Sequence, residues 1–343
     1  MAGIKEVAEL SGLSIATVSR ALGGRGSVSA KSRKLAQDTA AELGFALSYT
    51  ASSLASGRHH NIGVVVPDVH RWFFSSVVDG VSSELIEAGY DLTLYTTSQN
   101  ASHRASVLTD FLLRKRLDAV IAVSLELTEA EIGHLMAIHR PVLGIGGPLP
   151  GADSLQVDDF QMAKKATEHL IGLGHRRIAH ISGGREYDSD FRLPGTRRNG
   201  YEIAMQDAQL PISPDWLRTS DFTVQGAYTT ARQLLGAGLM RPTAVFAASD
   251  EMAIGTILAV RDFGLRVPED LSVIGIDGHE LGSVFGLTTF NQDARGQGAL
   301  AARRILARLE QGMPGVGVAY EPTAEEFPTQ MVVRSSTAVP PAE

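Results

Sequence analysis

The 343-residue sequence contains no cysteine. Disulfides, thiol nucleophiles, iron–sulfur clusters and cysteine-based zinc sites are therefore excluded. No run of about 18 or more apolar residues occurs, so no membrane-spanning helix is expected. The first ten residues carry Lys5, Glu6 and Glu9 and lack an apolar stretch of the kind a signal peptide needs. A cytoplasmic location is expected. Positive charge is in the minority, with 31 Lys and Arg against 38 Asp and Glu. Taken alone, that balance argues against a nucleic-acid partner. Hydrophobic residues make up 44% and charged residues 20%, enough to build real cores. The length suggests two or three domains.

The average charge hides an asymmetry. Through Arg58 there are seven basic and four acidic residues, a surplus of three positive charges. The rest of the chain has 24 basic and 34 acidic residues. Segments of opposite sign are read as modules with different partners.

In the positive segment Ile4, Val7, Ala8 and Leu10 recur at helical spacing, and Ser11-Gly-Leu13 breaks the pattern. Ser14 can cap a second helix through Thr17, Val18, Ala21 and Leu22. Ser29 can cap a third, with Leu35, Ala36, Thr39, Ala40 and Leu43 on one face and Gly44 as its stop. Two short helices joined by a Gly-containing turn read as a helix-turn-helix. In such a unit the start of the second helix faces base edges. Here that start is Ile15, Ala16 and Thr17, then Ser19 and Arg20. Arg20 suits guanine O6 and N7, while Ile15 and Ala16 offer apolar contact only. Ser14, Thr17, Ser29, Ser32 and Arg33 are candidates for phosphates. The alternative is a plain three-helix bundle with a solvated polar face.

A run from Ser48 to Gly57 has room for about two helical turns, too short to be stable alone. Leu54 is its one large aliphatic, a candidate wedge for a minor groove. An ordinary linker is the alternative.

Ile4-Lys-Glu-Val-Ala-Glu-Leu-Ser-Gly-Leu-Ser-Ile-Ala-Thr-Val-Ser-Arg-Ala-Leu22 resembles the DNA-binding head of the lactose/galactose repressor (LacI/GalR) family. Ala51-Ser-Ser-Leu-Ala-Ser-Gly-Arg58, Ile62-Gly-Val-Val-Val-Pro-Asp68, Arg241-Pro-Thr-Ala-Val-Phe246 and Gly264-Leu-Arg-Val-Pro-Glu-Asp-Leu-Ser-Val-Ile-Gly-Ile-Asp277 carry the resemblance onward, in order, along essentially the whole chain. It implies a homodimeric transcriptional regulator, most often a repressor. Its head would bind double-stranded operator DNA, and its core a small effector, usually a sugar. No enzymatic activity, cofactor or metal is implied.

Beyond residue 61 short apolar runs alternate with helical patterns. Strands are expected at 62–66, 92–95, 119–123, 142–145, 178–181, 244–247 and 272–276. Helices are expected at 73–88, 101–115, 129–139, 159–173, 197–208, 223–235 and 250–263. This alternation indicates an α/β fold with two doubly wound parallel sheets behind an all-α head. Such sheets bind ligands at the carboxyl ends of their strands. The resemblance implies three crossings between two lobes, near Asp158, Phe290 and Ala319. The expected parts are a head at 1–47, a hinge at 48–58 and a first lobe at 59–158 with 291–319. A second lobe at 159–290 with 320–334 and a flexible tail at 335–343 complete the chain.

Asp277, Arg197 and Phe222 match family effector positions, and a carboxylate, a guanidinium and an aromatic face suit a sugar. The alternatives are an Asp–Arg bridge between lobes and a core Phe. Trp72, Phe73 and Phe74 open a helix where the family usually has Pro-Phe-Phe; Trp72 and Phe73 are pocket candidates and Phe74 is assigned to the core. Ser249 is a weaker pocket candidate, Asp250 is read as a helix cap, and Gly146 stands where some sugar-binding members carry Asp.

Two other classes compete. Gly144-Ile-Gly-Gly-Pro lacks the third glycine of a dinucleotide fingerprint, and no Walker A, G-x-S-x-G or H-E-x-x-H sequence occurs, which disfavours an enzyme. A free-standing sugar receptor of periplasmic type would need a signal peptide in place of the head.

Overall fold

The computed structural model describes residues 3–23, 27–45, 58–97, 101–114, 117–184, 193–237, 240–311 and 321–342. The hinge expectation at 48–57, with Leu54, lies outside them. The chain divides into two compact units, Met1–Asn61 with Arg116–Asp118, and Ile62–Lys115 with Ala119–Glu343.

In the first unit α1 (Ile4–Ser11), α2 (Ile15–Leu22) and α3 (Ala30–Glu42) surround Val7, Ala8, Val18 and Ala40. Gly12 ends α1 at φ +67°, a left-handed conformation that a side chain would strain. Ser14 caps α2 by accepting from Thr17 N–H at 3.1 Å. Ser29 caps α3 by accepting from Ser32 N–H at 3.1 Å. Glu6 Oε2 accepts from Gly3 N–H at 2.8 Å, so α1 has a side-chain partner at its start although Gly3 has none to give. Leu10 and Leu35, expected on buried faces, are exposed; the core is filled by smaller residues, Ala8, Ala21, Ala36 and Ala40 among them.

The second unit holds two six-stranded sheets, each the floor of one lobe. The first has the order β11-β5-β4-β3-β1-β2 and the second β12-β10-β9-β8-β6-β7. The first uses β1 (Asn61–Val66), β2 (Asp91–Thr96), β3 (Ala119–Val123), β4 (Val142–Ile145), β5 (Asp153–Gln156) and β11 (Ala324–Glu326). The second uses β6 (Ile178–Gly183), β7 (Leu217–Ser220), β8 (Ala244–Ala247), β9 (Ser272–Asp277), β10 (Thr288–Asn291) and β12 (Gln330–Val332). β12 runs antiparallel to β10, while β6, β7, β8, β9 and β10 pair in parallel. Central strands such as β3 and β8 are buried at every residue, which is why they read as unbroken apolar runs.

The first lobe carries α4 (Trp72–Glu87), α5 (Ala101–Ser106), α6 (Glu129–Met136) and α12 (Ala294–Gln311). The second carries α7 (Asp159–Gly172), α8 (Leu193–Asp207), α9 (Val224–Gly236), α10 (Asp250–Asp262) and the short α11 (Gly282–Phe285). The helix expected at 101–115 is broken into α5, a π-helical turn at Val107–Phe111 and a 3-10 turn at Leu112–Arg114. α4 and α12 cross closely through paired glycines. A Cβ on Gly80 would lie 2.0 Å from the Arg295 carbonyl oxygen, and one on Gly298 2.1 Å from that of Val77.

Two boundary expectations need correction. The third crossing comes after β11, not near Ala319, because Ala324, Glu325 and Glu326 pair in parallel with Ser154, Leu155 and Gln156 of the first sheet. Residues 335–342 are not a free tail. Ser336 N–H donates to the Gly286 carbonyl at 2.8 Å and its hydroxyl to that of Val273 at 2.6 Å, while buried His175 Nε2 lies 2.8 Å from the Ala338 carbonyl oxygen. Among the described residues no helix is long and apolar enough to cross a membrane.

Candidate functional site

On the head, the start of α2 presents the residues expected to face DNA. Ile15 is 47% exposed, Ala16, Ser19 and Arg20 are exposed, and Thr17 is half-buried. Arg20 Nε donates to the Ala16 carbonyl at 3.1 Å, one of five N–H donors on that side chain. Arg33 is exposed. Ser14 and Ser29 spend their hydroxyls on the caps, and Ser14 and Thr17 hydroxyls lie 2.8 Å apart. Both helix starts therefore keep their backbone N–H groups partly satisfied before any phosphate arrives.

In the core a cavity of about 490 Å³ lies between the lobes, at the carboxyl ends of both sheets. Arg197, Phe222, Ser249, Asp277 and Phe73 are on its wall. Arg197 projects from α8 and is 2% exposed. Its Nε donates to Asp159 Oδ1 at 2.8 Å, its Nη1 donates to the Ala248 carbonyl, and Nη1 lies 3.9 Å from Asp277 Oδ1. Asp277 ends β9 at φ +145°, rare for a side-chain-bearing residue. Its Oδ1 accepts from Gln292 Nε2 at 2.7 Å and its Oδ2 from Asp250 N–H at 3.3 Å. Gln292 lies at the second lobe crossing, so the carboxylate is tied to the segment that joins the lobes.

Asp250 is not the cap of α10. That role belongs to Ser249, which accepts from Met252 N–H at 3.3 Å. Asp250 is buried one residue inside. It accepts from Gly278 N–H at 2.9 Å, His279 N–H at 2.8 Å and Thr289 Oγ1 at 2.7 Å. It thus fixes the turn that follows Asp277. Burial raises both carboxyls well above the ordinary carboxylate range. Asp250 and Glu251 push Asp277 the same way, and Arg197 opposes them.

The folded-state pKa values are raised, so the stability linked to these carboxyls is fully present below about pH 4 and is lost as pH rises toward neutrality. Asp277→Asn is expected to flatten the pH dependence of the melting temperature between about pH 4 and 7. Calorimetry checks this, and an unchanged slope would show that Asp277 is not held up.

Phe222 adopts φ +62° and stands where Gly183 leaves room: a Cβ on Gly183 would fall 2.0 Å from the ring. Gly146 has φ +99°, and a Cβ there would meet Ser124 Oγ at 2.6 Å, so this backbone has no place for the Asp found at that position in some sugar-binding relatives of the resembled family. Trp72, a pocket candidate in the sequence, does not line the cavity. It turns toward the second lobe and stacks on His279. Phe74, expected in the core, is 8% exposed and belongs to both core and wall.

Sequence reasoning missed Arg71, Arg104, Asp159, Gln292 and Gln297 on the wall. Arg104 is gripped by Glu131, with Nε to Oε1 at 2.7 Å and Nη2 to Oε2 at 3.0 Å. Its signal was a lone arginine in the helix after β2. Gln292 and Asp159 flank the first two crossings, and that adjacency was the signal for both.

A helix-turn-helix head and a two-lobed α/β core with a polar, aromatic-walled cavity define a DNA-binding regulator controlled by a small effector. Residues 3–47 match the family of bacterial regulatory proteins, lacI family, and residues 167–337 match the periplasmic binding protein-like domain. The HTH-type transcriptional repressor PurR of Glaesserella parasuis serovar 5 (strain SH0165) is 32% identical, over 98% of each chain. The lac repressor dimer bound to operator and the anti-inducer ONPF superposes with a TM-score of 0.80 at 26% identity, over 98% of this chain and 99% of that one. The transcriptional regulator CelR in complex with cellobiose gives 0.69 at 27% identity, over 98% and 100%. The chain belongs to the lacI family of bacterial transcriptional regulators. These relatives are transcription regulators, not enzymes.

Proposed function

We propose that the protein is a cytoplasmic, homodimeric repressor whose effector is a neutral sugar or sugar derivative. Arg197, Asp277 and Ser249 hold its hydroxyls, and Phe73 and Phe222 pack on its apolar face. The observation that carries the reading is the joint presence of a buried guanidinium, a buried carboxylate and two aromatic rings on one wall. The wall's guanidiniums are already matched: Arg197 by Asp159, Arg104 by Glu131 and Arg71 by Glu251. A polyhydroxylated neutral ligand fits that balance better than a phosphate ester. The cavity size is in the range of small-molecule sites. The cellobiose carried by CelR supports the same class.

On DNA, Ser14, Thr17, Ser29 and Arg33 contact phosphates while Ile15, Ala16, Ser19 and Arg20 face base edges. Two heads of the dimer meet two half-sites, and Leu54 of the hinge wedges into the central minor groove. Effector in the cavity shifts the lobes and lowers operator affinity, an allosteric coupling of two sites.

The test is a thermal-shift screen of the full chain against neutral sugars and their phosphates, followed by operator release measured by anisotropy. A neutral sugar should raise the melting temperature and release operator. A panel in which only sugar phosphates act, or no sugar acts, removes this effector class. Operator affinity should also fall steeply between about 50 and 200 mM salt, and a flat response would contradict the phosphate contacts.

A further inference from the structure

Two consecutive residues at the start of α4 reach across from the first lobe to the second. Arg71 Nε donates to Glu251 Oε2 at 3.1 Å, and its guanidinium carbon stands over the Phe222 ring, 5.0 Å from the centroid. Trp72 stacks on His279, with ring centroids 4.7 Å apart and planes 22° from parallel, and its indole N–H donates to Glu280. Glu251 opens α10, Phe222 follows β7, and His279 and Glu280 follow β9, so every one of these partners belongs to the second lobe. Arg71 and Glu251 are only 17% and 15% exposed, which sets the pair apart from a solvated surface contact.

The placement of Arg71 has a second effect. Gly183 closes against the edge of the Phe222 ring, and Arg71 covers a face of it. A cation over an aromatic face is itself a favourable contact. A ligand that packs on that face meets an occupant already in place.

We propose that Arg71 and Trp72 form a clasp that ties the lobes together, and that an effector packing on Phe222 displaces Arg71. Filling the cavity then loosens one interlobe tie while adding the ligand's own contacts to both lobes. Arg71 and Trp72 are positioning residues, since the clasp acts through Glu251, Phe222 and His279. The displacement half rests on the effector reading of the cavity given above; the clasp half does not.

The absence of cysteine gives a direct measurement. Glu129→Cys on α6 and Gln206→Cys on α8, both at exposed positions, put one spin label on each lobe. Dilution with unlabelled chain keeps the measured pairs within one protomer. In the ligand-free full chain, the distance distribution between labels should be narrow. Arg71→Ala with Trp72→Ala should broaden it and lengthen its mean. Glu251→Gln, the milder variant, should move it in the same direction even if the double variant folds poorly. Arg266→Ala, which removes only a surface pair with Asp270, should leave it unchanged. Distributions that superimpose for wild type, the double variant and Glu251→Gln overturn the clasp.

The second arm uses cellobiose as the probe. Arg71→Ala should bind it about tenfold more tightly than wild type, or about 1.4 kcal/mol. Equal affinities overturn the displacement, whatever the distances show. If wild type binds neither cellobiose nor any other sugar, the effector reading fails and takes the displacement with it, while the distances still decide the clasp.

Discussion

Arg197→Ala is expected to lower the melting temperature of the core by about 10 °C and to abolish release of operator by effector. Arg197 carries three partners at once: the Asp159 carboxylate, the Ala248 carbonyl and, at 3.9 Å, the Asp277 carboxylate. Removing one member of a buried ion pair leaves an uncompensated charge, which costs about 3–5 kcal/mol. For a domain of this size each kcal/mol moves the midpoint by about 2–4 °C. The deficit should grow with pH, because Arg197 holds the Asp277 pKa down and its loss shifts the proton equilibrium of that carboxyl further upward. At acid pH, where Asp277 is protonated in the folded chain with or without the guanidinium, the part of the deficit that passes through this carboxyl shrinks. Calorimetry at pH 5 and pH 8 separates the two regimes. A shift under about 3 °C at pH 8 would mean that the site relaxes around the missing guanidinium. Arg197→Lys distinguishes structure from recognition. Its ammonium restores charge without the two-pronged geometry, so stability should largely return while the effector response should not.

Val18→Ala is expected to weaken operator binding at least tenfold while leaving the core's thermal transition unchanged. Val18 is fully buried, and the head's core consists of Val7, Ala8, Val18 and Ala40 with a rim of half-buried residues. Deleting two buried methyl groups costs about 2 kcal/mol. In a large domain that loss is absorbed. A unit this small has little stability in reserve, and 2 kcal/mol changes its folded-to-unfolded ratio about thirtyfold. Anisotropy with a fragment selected from random DNA, beside calorimetry of the same preparation, reports both halves. An affinity within about twofold of wild type would mean that DNA binding itself supplies the missing stability.

The fold was legible in the sequence where burial is two-sided. β1, β3, β4, β6, β8 and β9 are apolar runs because both faces of each are covered. β5, β7, β11 and β12 were missed for the converse reason. They lie at or near sheet edges and are short; Leu217–Ser220 is half-exposed and Ala324–Glu326 carries two carboxylates. β10 was not read as a strand, since its two threonines, Thr288 and Thr289, do not form an apolar run although they are fully buried. On the cavity wall, polar residues at predicted strand ends were findable one at a time. Arg71 was not, because nothing in a single arginine before Trp72 tells that its partners are Glu251, 180 residues later, and the ring of Phe222. Trp72 was assigned to the pocket on its size and neighbours, and its stack on His279 depends on a turn fixed by Asp250.

The late crossing has a consequence for how the chain is made. Both sheets take an edge strand from the last twenty residues, β11 for the first lobe and β12 for the second, and residues 336 and 338 then close on β9 and His175. A nascent chain held at the ribosome with residue 320 just synthesised has neither edge. Each lobe must wait with an open flank until residues 324–332 have been made, a long-range closure of the kind that folds slowly. The head needs only its first 45 residues and can fold while most of the core is still unmade.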